Sequence, residues 1–240
     1  MDRHTRKELK TDKFAQGVGS GFEFLSEHRG QAMRWGLIGV AVVVIAGGSW
    51  LYRSHQTTVR ADLLAKAMQI DDATIGAPQP PRLNFPTAED KEKARIAAFT
   101  DVAVKYPGSQ EGAIAQLAVA AAQADSGKID EALKTFKDVL DKAPDPYDSV
   151  AKLSMAQIYN SQGKNDEAEK LLRQLIDKPS VFVSKEQATL ALAQTVAKKN
   201  PAEARKLLEP LSASPRSAVS RAAVSELGAI SASQAPAQSN

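Results

Sequence analysis

Residues 35–52, WGLIGVAVVVIAGGSWLY, form a run of 18 uncharged residues, and no other feature of the 240-residue chain restricts its fold so strongly. At about 1.5 Å rise per residue, a helix of that run is roughly 27 Å long, near the hydrocarbon thickness of a bilayer. Trp35 at one end and Trp50 and Tyr52 at the other stand where amphipathic rings meet the membrane interface, and Arg34 and Arg53 close the run on both sides. The run predicts one membrane-spanning helix. A cleaved signal peptide fits less well, because 34 residues precede the run and no small-x-small site follows Tyr52. A buried core helix also fits poorly, since Ser49 alone interrupts the apolar character. Seven Lys or Arg in the leading tail (Arg3, Arg6, Lys7, Lys10, Lys13, Arg29 and Arg34) favour a cytoplasmic residue 1–34 segment, although the immediate flanks, with Arg53, Arg60 and Lys66 beyond the span, are nearly balanced.

The residues after the span are enough for one domain with a real core. With no cysteine, the chain offers no disulfide framework, thiol nucleophile or Cys-ligated metal site. The net charge is only +3, its signs are interspersed, and aromatics make up 5% of the chain, which argues against nucleic-acid binding. The three histidines, His4, His28 and His55, all lie in the tail or beside the span. No carboxylate pair or Gly-rich phosphate loop accompanies them, so the sequence predicts no catalytic residues, no metal and no cofactor.

Residues 53–75 continue as a juxtamembrane helix with Val59, Leu63, Ala67 and Ile70 on one stripe. Pro78, Pro80, Pro81 and Pro86 make residues 76–87 a loop, because proline cannot sustain a helical ladder. Residues 88–230 read as helix and turn throughout, and residues 231–240, SASQAPAQSN, have nothing to bury and are expected to be disordered.

Laid on itself, the helical region shows a period of 36. Ala132, Ala168 and Ala204 share one column, Phe136, Leu172 and Leu208 a second, and Val139, Leu175 and Leu211 a third. The small residue lets paired helices approach, and the large one a turn later fills the gap between neighbouring pairs. A Gly turn, an Asp-Glu-Ala opening and a closing Pro surround the columns in SGKIDEALKTFKDVLDKAP and QGKNDEAEKLLRQLIDKP. In the third unit Lys199 replaces the turn Gly and NPAEA the opening, while upstream Phe99 and Pro107 mark a half-unit whose first helix is the one leaving the membrane. The pattern resembles the tetratricopeptide repeat. The expected fold is all-α: one transmembrane helix followed by a short helical solenoid, closed by PRSAVSRAAVSELGAI as a capping helix.

Such solenoids bind protein segments on the concave face formed by the first helix of each pair. The resemblance implies groove positions at Ile114, Leu117 and Ala121 in the first full unit, Val150, Leu153, Gln157 and Asn160 in the second, and Glu186, Thr189 and Ala193 in the third. These are mostly small or apolar. They lack the cations of a carboxylate clamp, so an apolar or extended segment is the expected ligand. Leu117 and Leu153 can equally serve as packing residues between helices.

The tail ending FLSEHRGQAMRW, the Gly-rich span, the exit SWLYRSHQ and the small repeat domain together resemble the YfgM-like ancillary subunit family of the SecYEG translocon over roughly residues 22–230. The resemblance implies a bacterial inner-membrane protein, cytoplasmic at its N-terminus and periplasmic in its repeats. It also implies translocon subunits, exported chains or periplasmic chaperones as partners, with no small-molecule substrate. The alternative is a periplasmic scaffold for cell-envelope or cell-division assembly.

Overall fold

A computed structural model describes residues 29–77, 80 and 82–234, the side chains of 29–36 and 234 excepted. The expected tail up to residue 28, and the C-terminal residues 235–240, lie outside the described residues. The chain divides between Val59 and Arg60 into two units.

In the first unit the described residues belong to α1 (Arg29–Asp71), one helix that continues beyond the division. Its Leu37–Asp71 stretch is long and apolar enough to cross a membrane, and none of its most apolar window is buried. Ile45 is 71% exposed, and Trp50 and Tyr52 are nearly as open. Exposure of that many large apolar side chains is costly in water and favourable in hydrocarbon.

In the second unit α1 stops at Asp71 rather than at 75. Thr74–Ile75 (β1) instead pairs in parallel with Asn84–Phe85 (β2), which closes the Pro-rich loop, and the Asn84 amide donates to Thr74 Oγ1 at 3.2 Å. Helices α2 (Ala88–Lys105), α3 (Gln110–Asp125), α4 (Ile129–Lys142), α5 (Tyr147–Ser161), α6 (Asn165–Asp177), α7 (Lys185–Val196), α8 (Pro201–Ser212) and α9 (Ser217–Gln234) follow. The last runs beyond the expected end at 230, because Ser231 and Ser233 satisfy their hydroxyls on the carbonyls of Leu227 and Ile230 and leave the ladder intact.

Local chemistry explains the punctuation. Thr87, Ser109, Ser184 and Asn200 cap α2, α3, α7 and α8 by accepting from the backbone N–H three residues on. Helices α4 and α6 open without a side-chain cap, and Asp130, Glu131, Asp166 and Glu167 set carboxylates against their N-termini instead. The turns before them are the same motif, one period apart. Gly127 and Gly163 have φ of 77° and 75°, and the next residues, Lys128 and Lys164, donate back to Gln123 and Tyr159 carbonyls at 2.8 and 2.9 Å. Only glycine takes that left-handed position without a Cβ penalty. The third turn is built otherwise: the N–H groups of Lys199 and Asn200 both reach the Val196 carbonyl, with no non-Gly residue at positive φ among the described residues.

The interior forms three clusters. The first joins Leu64 and Ala67 of α1 to Phe99 and Val102 of α2 and Ala115 of α3. The second joins α3, α4 and α5 around Ala120, Ala132, Phe136 and Met155, and the third runs from α5 to α9 around Ala168, Leu172, Leu192, Leu208 and Ala223. Both small-and-large columns are buried throughout, while Leu211 is partly covered against the third cluster. Among the described residues the fold is therefore all-helical with stacked helix pairs, apart from the two short strands.

Two substitutions test this packing. Ala168→Leu is expected to overfill the α5–α6 contact and cost about 1–3 kcal/mol in urea unfolding of the detergent-solubilised chain. At Gly112 a Cβ would overlap the Tyr106 carbonyl, which is backbone and cannot swing aside. Gly112→Ala should therefore cost more than about 2 kcal/mol despite its gain in helix propensity.

Candidate functional site

The first helices α3, α5 and α7 carry all ten groove positions, but the structure sorts them into unlike environments. Ile114 is half-buried against the Leu64 and Phe99 cluster, and Leu117 against the cluster of Phe136 and Met155. Val150 is half-buried, and Leu153 packs on the third cluster. Thr189 and Ala193 are only 8% and 1% exposed, so neither offers a surface to a ligand. Thr189 turns its hydroxyl to the Lys185 carbonyl, and Ala193 is enclosed in the cluster that Ala223 and Ile230 of α9 complete. Glu186 is half-exposed but faces Arg216 at 3.4 Å. Its carboxyl is held below the usual range first by its own backbone N–H, then by Ser184 and the Arg216 charge. Asn160 donates to Thr195 Oγ1 at 2.7 Å while its carbonyl oxygen is buried without a partner.

Ala121 and Gln157 are exposed, and they meet in a cleft of about 340 Å³ between the C-terminal halves of α3 and α5. Ala124, Ile129, Phe136 and Ile158 supply the rest of its apolar lining, and Ser154 and Ser161 polar edges. The one charged lining residue is Asp125. That volume is at the lower end of the range for ligand pockets and has room for an apolar side chain with part of its neighbours. The groove register does not select Phe136, Ile158 or Asp125. Phe136 belongs to a core column, and Asp125 falls one turn beyond Ala121, where the helix ends.

Arg95 of α2 is gripped by both Glu92 oxygens at 2.8 Å, lies 3.5 Å from Asp71, and also feels Asp125. The bidentate hydrogen bond from Arg95 pulls the Glu92 carboxyl below its ordinary range, and the guanidinium is raised in return. Arg95 thus faces three carboxylates, with Lys91 also acting on Glu92. Register places Arg95 where the later pairs have Ala132, Ala168 and Ala204, since Phe99, Val102 and Pro107 each stand 37 residues before Phe136, Val139 and Pro144.

Among the described residues no group of His, Asp or Glu is placed to hold a metal ion. Trp50 and Tyr52 project from α1 into open space, and Trp35 lies on the same helix with its side chain outside the description.

A family model described as a tetratricopeptide repeat-like domain matches residues 24–186. Among curated proteins nothing matches. Among solved structures, the chain is similar to a Podosopora anserina kinesin light chain with nearly identical TPR-like repeats, at 17% identity and a TM-score of 0.45, over 62% of this chain and 91% of that one.

Stability measurements should separate surface from packing positions. Ala121→Phe and Gln157→Ala are expected to stay within about 1 kcal/mol of the native chain. Leu153→Asp should cost about 2–4 kcal/mol by setting an unpaired carboxylate against the core, read as a shift in urea midpoint.

Proposed function

The chain belongs to the tetratricopeptide repeat-like domain family, and on that premise we propose that it is a non-catalytic, membrane-anchored protein-interaction module of the bacterial inner membrane, associated with the Sec translocon. Its N-terminal segment faces the cytoplasm, and its repeats face the periplasm, where they receive exported polypeptides or recruit chaperones to them. The observation that carries this reading is α1: one unbroken helix holds the apolar run and supplies Leu64 and Ala67 to the first repeat cluster. The residues flanking the span, Glu27-His28 before it and Trp50, Tyr52 and Ser54-His55-Gln56 after it, support the translocon as that complex through the resemblance described above. Gly39, Gly47 and Gly48 meet open space on α1, which leaves flat positions for lateral helix contact.

Photo-crosslinking in living cells tests both halves. A photoreactive residue at Trp50 is expected to capture translocon subunits, and one at Ala121 exported chains or periplasmic chaperones. Capture of wall-synthesis or outer-membrane assembly proteins from both positions would instead establish an envelope scaffold.

A further inference from the structure

Resting on the reading of the first-helix face as the binding surface, we infer that the α3–α5 cleft selects an extended polypeptide segment in which an apolar side chain is flanked by Lys or Arg. The apolar half of this specificity is in the lining: Ala121, Ala124 and Ile158, over the buried Phe136, make a hollow that a Leu- or Phe-sized side chain can enter. The basic half is in Asp125, the one charged residue that lines that hollow. Asp125 also sits in the last turn of α3, which contains no basic residue. There the helix dipole disfavours a carboxylate, so the position is occupied against local helix preference, as positions kept for binding often are.

A second hollow of similar size, near Asp145 and Val181, lacks this bias. Its acids are already matched, Asp148 to Lys152 at 2.8 Å and Asp145 to Lys178 at 3.4 Å. Of these two hollows, charge favours the α3–α5 cleft for a basic ligand.

The test uses the full chain in nanodiscs of neutral phosphatidylcholine, with empty nanodiscs subtracted, and fluorescence anisotropy of short labelled Gly/Ser peptides. One peptide carries a central Leu between two Lys residues, a second replaces the Lys residues by Glu, and a third replaces the Leu by Ser. The first is expected to bind best, and its affinity should fall as salt rises. Asp125→Lys should weaken it about fivefold, strengthen the Glu peptide, and leave the melting temperature unchanged or raised, because a cation suits that helix end. Ala121→Phe should abolish binding of both Leu peptides by filling the hollow. If Ala121→Phe abolishes binding but Asp125→Lys changes nothing and the Lys and Glu peptides bind alike, charge selection is overturned while the first-helix face stands as the binding surface. If the peptides bind and neither substitution matters, both the selection and that face are overturned. Absence of binding by the native chain overturns the selection alone, since the crosslinking from Ala121 reports on the face independently.

Discussion

Contact between paired helices through a single column of small residues is the constraint on which the repeats depend. Ala132, Ala168 and Ala204 are fully buried, and each lets its helix lie close to its partner while Phe136, Leu172 or Leu208 seals the seam one turn later. Interiors packed at crystal-like density transmit any change of volume there to both neighbours. The first pair departs from the rule, with Arg95 in the small-residue position, and the departure has chemical consequences. A guanidinium at that place needs carboxylates, and Asp71, Glu92 and Asp125 supply them.

Cohesion between successive pairs is mainly apolar. Arg173 bridges Glu169 and Glu203, and Lys199 reaches Asp166, but these pairs are largely solvated and screened and so contribute little. The three clusters instead overlap through shared helices: α3 belongs to the first and second, α5 to the second and third. Stability is then passed from neighbour to neighbour, as expected of stacked repeats.

Particular residues show what could be read in advance. The repeated turn glycines, the Asp-Glu-Ala openings and the alanine column each express one steric or electrostatic demand at a fixed spacing, so periodicity exposes them. Lys199 marks a turn that must close without a left-handed glycine, and the structure closes it with two donors on one carbonyl. The binding face was less legible. Register places Thr189 and Ala193 on it, but the packing completed by α9 encloses Ala193, a tertiary effect that no spacing within one unit encodes. Asp125 and Phe136 meet in the cleft only because two helix ends and a core column converge there. The short β1–β2 pairing likewise depends on residues from both sides of a proline loop.

The continuity of α1 bears on how the repeat array can be separated from its anchor. The second unit begins at Arg60, and Leu64 and Ala67 are part of its first cluster. Removal of the chain up to the proline loop would strip the lid from Phe99 and Val102 and leave an apolar surface that invites aggregation. Cleavage between Tyr52 and His55 falls among exposed residues and leaves the Arg60–Glu111 ion pair with the repeats. A cut in that short interval would part the apolar run from the repeats without uncovering their first cluster.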